Sequence, residues 1–187
     1  MNLQKNKRIR IGILSHGVIF PKFEANFIKK LLSNDNAEIV SLLVVQKRER
    51  EHIYKKYNAW GMYEKRFVFP KMVSIYPEDL HEYFNSINKL KINLVQESKY
   101  AFKVDDQEIN EIKKLKLDII INCQYRILKG LILTTPRLGI WSLHSSDNQK
   151  YRGEPSGFWE IFNREKESGS VLQILTEKLD AGRILRK

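Results

Sequence analysis

The chain is poor in several features that would narrow its chemistry at once. It has a single cysteine, Cys123, in 187 residues, so an internal disulfide is impossible and no thiolate framework for a metal can form. No apolar run approaches the roughly 20 residues that span a bilayer. The basic opening from Met1 to Arg10 is followed by only Ile11-Gly12-Ile13-Leu14, too short for the roughly 7–15 apolar residues of a secretory leader. Internal repeats and low-complexity linkers are missing. Together these absences predict a protein of the reducing cytoplasm with no membrane partner and no metal.

What is present is a globular composition carrying excess positive charge. Hydrophobic residues make up 42% and charged residues 29%, against roughly 45–50% and about 25% for typical domains, which argues against disorder. A domain of this size buries about 70% of its unfolded surface, enough for one core. Residues 1–187 are therefore expected to form a single domain. Lys and Arg total 33 against 22 Asp and Glu, a net charge of +11. The clusters Lys5-Asn6-Lys7-Arg8, Lys47-Arg48-Glu49-Arg50, Lys55-Lys56 and Lys113-Lys114-Leu115-Lys116 are interleaved with Glu and read first as solvated surface. The other reading is attraction to a phosphate-bearing partner, such as a nucleotide-linked substrate, an RNA or a polyanionic cofactor tail. Charge alone leaves both open.

The pattern along the chain alternates between two periods. Arg8 to Leu14 reads as a strand, Phe23 to Leu32 as a helix with apolar residues at Phe23, Phe27, Ile28, Leu31 and Leu32, and Ala37 to Val45 as a second strand. This is the strand–helix–strand signature of a right-handed parallel unit. Glu49 to Tyr57 reads as a helix. The aromatic stretch from Asn58 to Lys99 has no clean period; short helices are expected around Glu78 to Asn88, a strand at Lys91 to Val95, and packing rather than base stacking for its rings. Asp106 to Lys114 is a helix capped by Asp105 or Asp106. Leu117 to Asn122 has the continuous Leu and Ile of a buried parallel strand. Leu128 to Thr134 reads as a short helix stopped by Pro136, Leu138 to Leu143 as a strand, Pro155 to Phe162 as a helix opened by its proline, and Ser170 to Leu175 as the last strand. The sum predicts an α/β domain, Rossmann-like, with an open, mostly parallel twisted sheet and helices on both faces.

Such sheets bind ligands beyond the carboxyl ends of their strands. The candidate places are Ser15-His16-Gly17, Gln124-Tyr125-Arg126, the segment from His144 to Gly153, and the turn at Asp180. His144 stands out among the four histidines because Ser142, Ser145, Ser146, Asp147, Asn148 and Arg152 surround it in sequence. No hydrophobic layer accounts for such a crowd.

The segments Arg126-Ile127-Leu128, Pro136-Arg137-Leu138-Gly139, Ser142-Leu143-His144-Ser145-Ser146, Tyr151-Arg152-Gly153 and Leu179-Asp180-Ala181-Gly182-Arg183-Ile184-Leu185 resemble, in order, the catalytic half of the folate-dependent formyltransferases. That family includes methionyl-tRNA, glycinamide ribonucleotide and amino-sugar formyltransferases. The resemblance covers residues 117–185 well and the first strand–helix–strand unit loosely. It implies a catalytic constellation of an Asn-x-His and a downstream Asp, whose histidine falls on His144 and whose aspartate falls on Asp180. The Asn position holds Ser142. It further implies that Tyr125, Arg126, Ile127, Leu128, Asp180 and Gly182 hold the folate, with Arg126-Ile127-Leu128 lining the pterin pocket mainly through backbone groups. Ser146, Asn148, Arg152 and Gly153 are then expected at the acceptor.

The implied reaction explains these residue types. An amine attacking the formyl carbon of 10-formyltetrahydrofolate leaves negative charge on the former carbonyl oxygen, which preorganised donors must meet. An imidazole can do so and can move protons near working pH; a carboxylate beside it favours its charged form. No metal is required. Several departures qualify the resemblance. Ser142 is shorter than asparagine, and losing an oxyanion donor costs about 10²–10³ in rate. The usual proline after the histidine is Ser145, and Asp147-Asn148 replaces an apolar pair. Ser15-His16-Gly17-Val18-Ile19-Phe20 lacks a Gly/Ser/Asn-rich phosphate cradle, which disfavours glycinamide ribonucleotide. The sequence stops seven residues after Asp180, without the extra domain of the methionyl-tRNA enzymes, and is expected to be either minimal or a fragment. An amino sugar on a nucleotide, or another small amine, is the expected acceptor, ahead of tRNA or glycinamide ribonucleotide, and the +11 charge suits a phosphate-bearing one. Two alternatives stay open: hydrolysis of formyltetrahydrofolate, and a degenerate binding domain that lost its chemistry with the asparagine.

Overall fold

The computed structural model describes residues 8–46, 66–67, 76–124, 126–147, 149–151, 157–178 and 181–187. Strand β1 (Ile9–Ser15) leads through the short β2 (Ile19–Pro21) into helix α1 (Lys22–Leu32) and then β3 (Ala37–Val45), and β1 and β3 pair in parallel. The expected strand–helix–strand unit is therefore present. Further along come β4 (Pro77–Asp79), a 3-10 turn at His81–Phe84, β5 (Asn88–Ile92), β6 (Leu94–Gln96), β7 (Ala101–Val104) and helix α2 (Asp106–Lys114). Next are β8 (Ile119–Asn122), β9 (Ile127–Lys129), a 3-10 turn at Leu131–Thr134 and β10 (Ile140–His144). Helix α3 (Phe158–Phe162), β11 (Val171–Ile174) and β12 (Arg183–Arg186) close the order.

Among the described residues the main sheet runs β12-β11-β10-β8-β1-β3-β5. The pairs from β10 to β5 are parallel, and β11 and β12 add an antiparallel edge. A second sheet, β6-β7-β9, lies beside it, and β2 pairs with β4. Each face of the main sheet has its own core. Leu14, Leu43, Ile120 and Ile140 pack with Ile109 and Ile112 of α2 on one face, while Ile13, Leu42 and Phe84 pack with Ala25 and Ile28 of α1 on the other. This is the expected Rossmann-like α/β architecture.

Local signals decided several elements. Asp105 caps α2 by accepting a hydrogen bond from the Gln107 N–H at 2.9 Å, which satisfies one of the donors a helix start leaves open. Other expectations need correction. The segment expected to be helical from Leu128 begins as strand β9, because Ala101–Lys103 offers it a parallel partner, and only Leu131–Thr134 turns. The expected strand at Lys91 to Val95 is two, β5 and β6, belonging to different sheets. The expected helical stretch from Glu78 holds β4 and one 3-10 turn. The last strand is β12, not β11. The expected helix at Glu49 to Tyr57 and the proline opening at Pro155 lie outside the described residues. In the aromatic stretch, Phe84 is fully buried and stacks on Phe20 at 6.0 Å between centroids, as packing requires.

Candidate active site

Sequence steps outward from β1 in both directions: β3 and β5 lie on one side, β8, β10 and β11 on the other. Open α/β sheets place a crevice where the order reverses in this way. A cleft of about 390 Å³ opens there, lined by the ends of β8 and β10, by β9, by Phe23 and Glu24 of α1, and by the segment after β11.

Strand pairing fixes the floor of this cleft. Asn122 ends β8 and is the register partner of Ser142 on β10, which in turn faces Gln173 on β11. Register partners point to the same side of a sheet, so the three side chains form one polar row. Ser142 and His144 are two apart on β10 and share that face. The Asn122 amide donates through Nδ2 to the Gln124 carbonyl at 3.1 Å and to Ser142 Oγ at 3.4 Å. Its Oδ1 and the His144 Nε2 are buried with no hydrogen-bond partner among the described residues. Buried polar groups are nearly always paired, so two orphans beside one cleft mark it as a place where folding gave way to something else.

The loop after β8 is held by Gln124. This buried side chain accepts from the Arg126 N–H at 2.6 Å and donates to the Arg126 carbonyl at 2.8 Å. The clamp turns the chain into β9, whose one flank pairs with β7 and whose other flank meets no strand among the described residues. Arg126 lays its guanidinium over the Phe102 ring, 4.5 Å from its centroid. On the α1 wall, burial pushes the Glu24 carboxyl up to about 7, and it raises the thiol of neighbouring Cys123, with the Glu24 charge adding to the effect. Glu24 can thus hold or release a proton near neutrality.

No family model matches the chain. A 105-residue stretch is 37% identical to the bifunctional polymyxin resistance protein ArnA of Wigglesworthia glossinidia brevipalpis, covering 55% of this chain and 16% of that one. A methionyl-tRNA formyltransferase of Nostoc sp. is 24% identical over 168 residues, 89% of this chain and 44% of that one. The crystal structure of phosphoribosylglycinamide formyltransferase from Brucella melitensis superposes with a TM-score of 0.59 at 20% identity, covering 96% of this chain and 78% of the other. The chain is thus similar in sequence to a methionyl-tRNA formyltransferase and shares its fold with a phosphoribosylglycinamide formyltransferase. It spans less than half the length of these two curated relatives.

Of the residues expected at the site, Ser142, His144, Arg126, Ile127, Leu128 and Gly182 all line this cleft. Gly182 has a packing reason: a Cβ there would overlap the Ile174 carbonyl and come within 2.7 Å of Gln173 Oε1. The chain leading into β12 can lie against β11 only with no side chain at position 182. Ser146 is not brought to the cleft lining; it is buried, and its hydroxyl accepts from the Gly157 N–H at 3.4 Å. Asp147, from the same loop, is buried against the Lys187 ammonium, which holds its carboxyl below the usual range. Asp180, Tyr125, Asn148, Arg152 and Gly153 lie outside the described residues. The Ser15-His16-Gly17 turn, offered as a candidate place, is not part of the lining; the Ser15 hydroxyl donates to the Gly17 carbonyl at 2.7 Å.

The residues that sequence reasoning passed over are Asn122, Gln173 and Glu24. For the first two a signal existed. Asn122 ends an otherwise aliphatic run, Ile119-Ile120-Ile121, and Gln173 interrupts Val171-Leu172-Ile174. Polar residues at such positions are seldom there for packing. Glu24 gave no signal, since a carboxylate in a helix's first turn is ordinary.

Proposed function

We propose that this cleft transfers a formyl group from 10-formyltetrahydrofolate to a small amine. The observation that carries the reading is His144, cleft-lining, with a buried nitrogen lacking any partner among the described residues, beside Ser142 on the same strand face. The folate would supply the activated formyl group, held along β9 and by Gly182, both of which line the cleft. Ser142 donates its hydroxyl proton to the formyl oxygen as negative charge develops there. His144 takes the proton that the attacking amine must lose and returns one to the departing folate nitrogen, so that one C–N bond forms as the other breaks. Asp180, by the family resemblance, sets the charge of that imidazole. No step needs a metal or a covalent nucleophile, and Cys123 with its raised thiol is a poor one.

A phosphate-bearing amine such as an amino-sugar nucleotide is the favoured acceptor class. The net charge of +11 favours a polyanion, and the Glu24 carboxyl on the α1 wall favours the amine end over phosphate at that spot. The test is incubation with 10-formyltetrahydrofolate and a panel of amines, following release of tetrahydrofolate. Release that depends on an amine is expected. Release without one makes the protein a hydrolase, and binding without release makes it a binding domain.

A further inference from the structure

Ser142 stands where the family resemblance expects an asparagine, and its polar atom lies one bond closer to the backbone. The structure supplies an amide from the neighbouring strand. Asn122 is the register partner of Ser142 in the parallel pair of β8 with β10, and its Nδ2 donates to Ser142 Oγ at 3.4 Å. The same Nδ2 donates to the Gln124 carbonyl at 3.1 Å. That second bond fixes which way the amide points, because turning it over would set Oδ1 against a carbonyl oxygen. The fold accepts a cost for this arrangement: Asn122 Oδ1 is left buried without a partner among the described residues. A residue kept only for packing at this point, after Ile119-Ile120-Ile121, would have no reason to carry that unpaired oxygen.

We propose that Asn122 is a positioning residue for Ser142, so that two strands together furnish the donor which a single asparagine would otherwise provide. This rests on the formyl-transfer reading. A hydroxyl that accepts a hydrogen bond keeps its own proton to donate, and donates it more strongly for accepting one. The Asn122 amide therefore stops Ser142 Oγ from rotating freely and leaves its O–H directed to the developing oxyanion. Because the bond matters most as charge develops, its loss acts on kcat and leaves KM for the folate nearly unchanged.

The experiment compares wild type, Asn122→Ala, Asn122→Asp, Ser142→Ala and the double variant Asn122→Ala with Ser142→Ala, in steady-state formyl transfer and in tetrahydrofolate binding. Asn122→Ala is expected to lower kcat by about 10–10²-fold, a part of the effect of removing an oxyanion donor outright, with folate affinity within about twofold of wild type. Asn122→Asp keeps the shape but offers Ser142 only acceptors above the carboxyl's titration, so it should lose as much activity and recover part of it at low pH. The double variant should be no slower than Ser142→Ala alone, since Asn122 acts through Ser142. A double variant slower than Ser142→Ala by the full Asn122 factor overturns the proposal, as does an active wild type with Asn122→Asp and Asn122→Ala at full turnover. A wild type that binds tetrahydrofolate but transfers to no amine overturns the formyl-transfer reading itself, and this proposal with it.

Discussion

One row of side chains crosses six strands of the main sheet and changes character halfway. Leu90, Leu43 and Leu14 are register partners on β5, β3 and β1, and the same row continues as Asn122, Ser142 and Gln173 on β8, β10 and β11. Leu14 and Leu43 are fully buried beneath α2. Asn122, Ser142 and Gln173 border the cleft. The backbone is the same parallel ladder throughout, so the difference is not one of secondary structure. It lies in what each half faces: the aliphatic half meets a helix that removes it from water, and the polar half meets space that no described element fills. One half stores stability and the other leaves hydrogen-bonding capacity unspent, His144 Nε2 included.

The comparison breaks most sharply at Leu43. Leu43→Ala removes a fully buried side chain and is expected to cost about 2–5 kcal/mol of folding stability, measured by urea unfolding. A loss under about 1 kcal/mol would mean that the aliphatic half is not the stabilising one. His144→Ala is the converse: turnover falls by about 10²-fold, equivalent to ~2.7 kcal/mol of barrier, while the unfolding midpoint hardly moves. Equal losses of stability at both positions would dissolve the distinction between the halves.

The smallest effect lies at Glu24, on the α1 wall of the cleft. Its carboxyl is raised in the folded state from about 4.5 to about 7 by burial, so the native protein holds a proton that the unfolded chain has released. Stability contributed by that proton is full below about pH 4.5, declines as pH rises to about 7, and is absent above it. Glu24→Gln, neutral throughout, should flatten this decline and be the more stable protein at pH 8. Because the side chain is partly exposed, solvent screening limits the gain to the order of 1 kcal/mol. A stability profile with the same slope in both proteins would show that the carboxyl titrates as it does in water.

The elements that could be read in advance are those built by local chemistry. Ala37–Val45 is a strand over the residues its apolar run covers, and α2 starts at the aspartate that can cap it. The elements that could not be read are made by partners. Ile127–Lys129 has helix-compatible residues and becomes a strand because Ala101–Lys103 lies beside it. Arg183–Arg186, to which the sequence pattern assigns no element, becomes an edge strand because β11 is there to pair with it. In the site, motif spacing indicated His144 and Ser142 but could not indicate Asn122, which is 20 residues away in sequence and adjacent only through register.

The sequence by itself determined the alternation of elements, the α/β class, and which loops carry polar chemistry, because hydrophobic period and capping act over a few residues. It also determined that Gly182 and His144 stand on either side of β11 in chain order. Only the tertiary structure decided that Asn122 lies against Ser142, that Glu24 faces the same cleft from α1, and that Ser146 is spent on holding Gly157. The physical reason is that strand register and helix docking are settled by the whole sheet at once, through burial on both of its faces. No short stretch of chain contains that information.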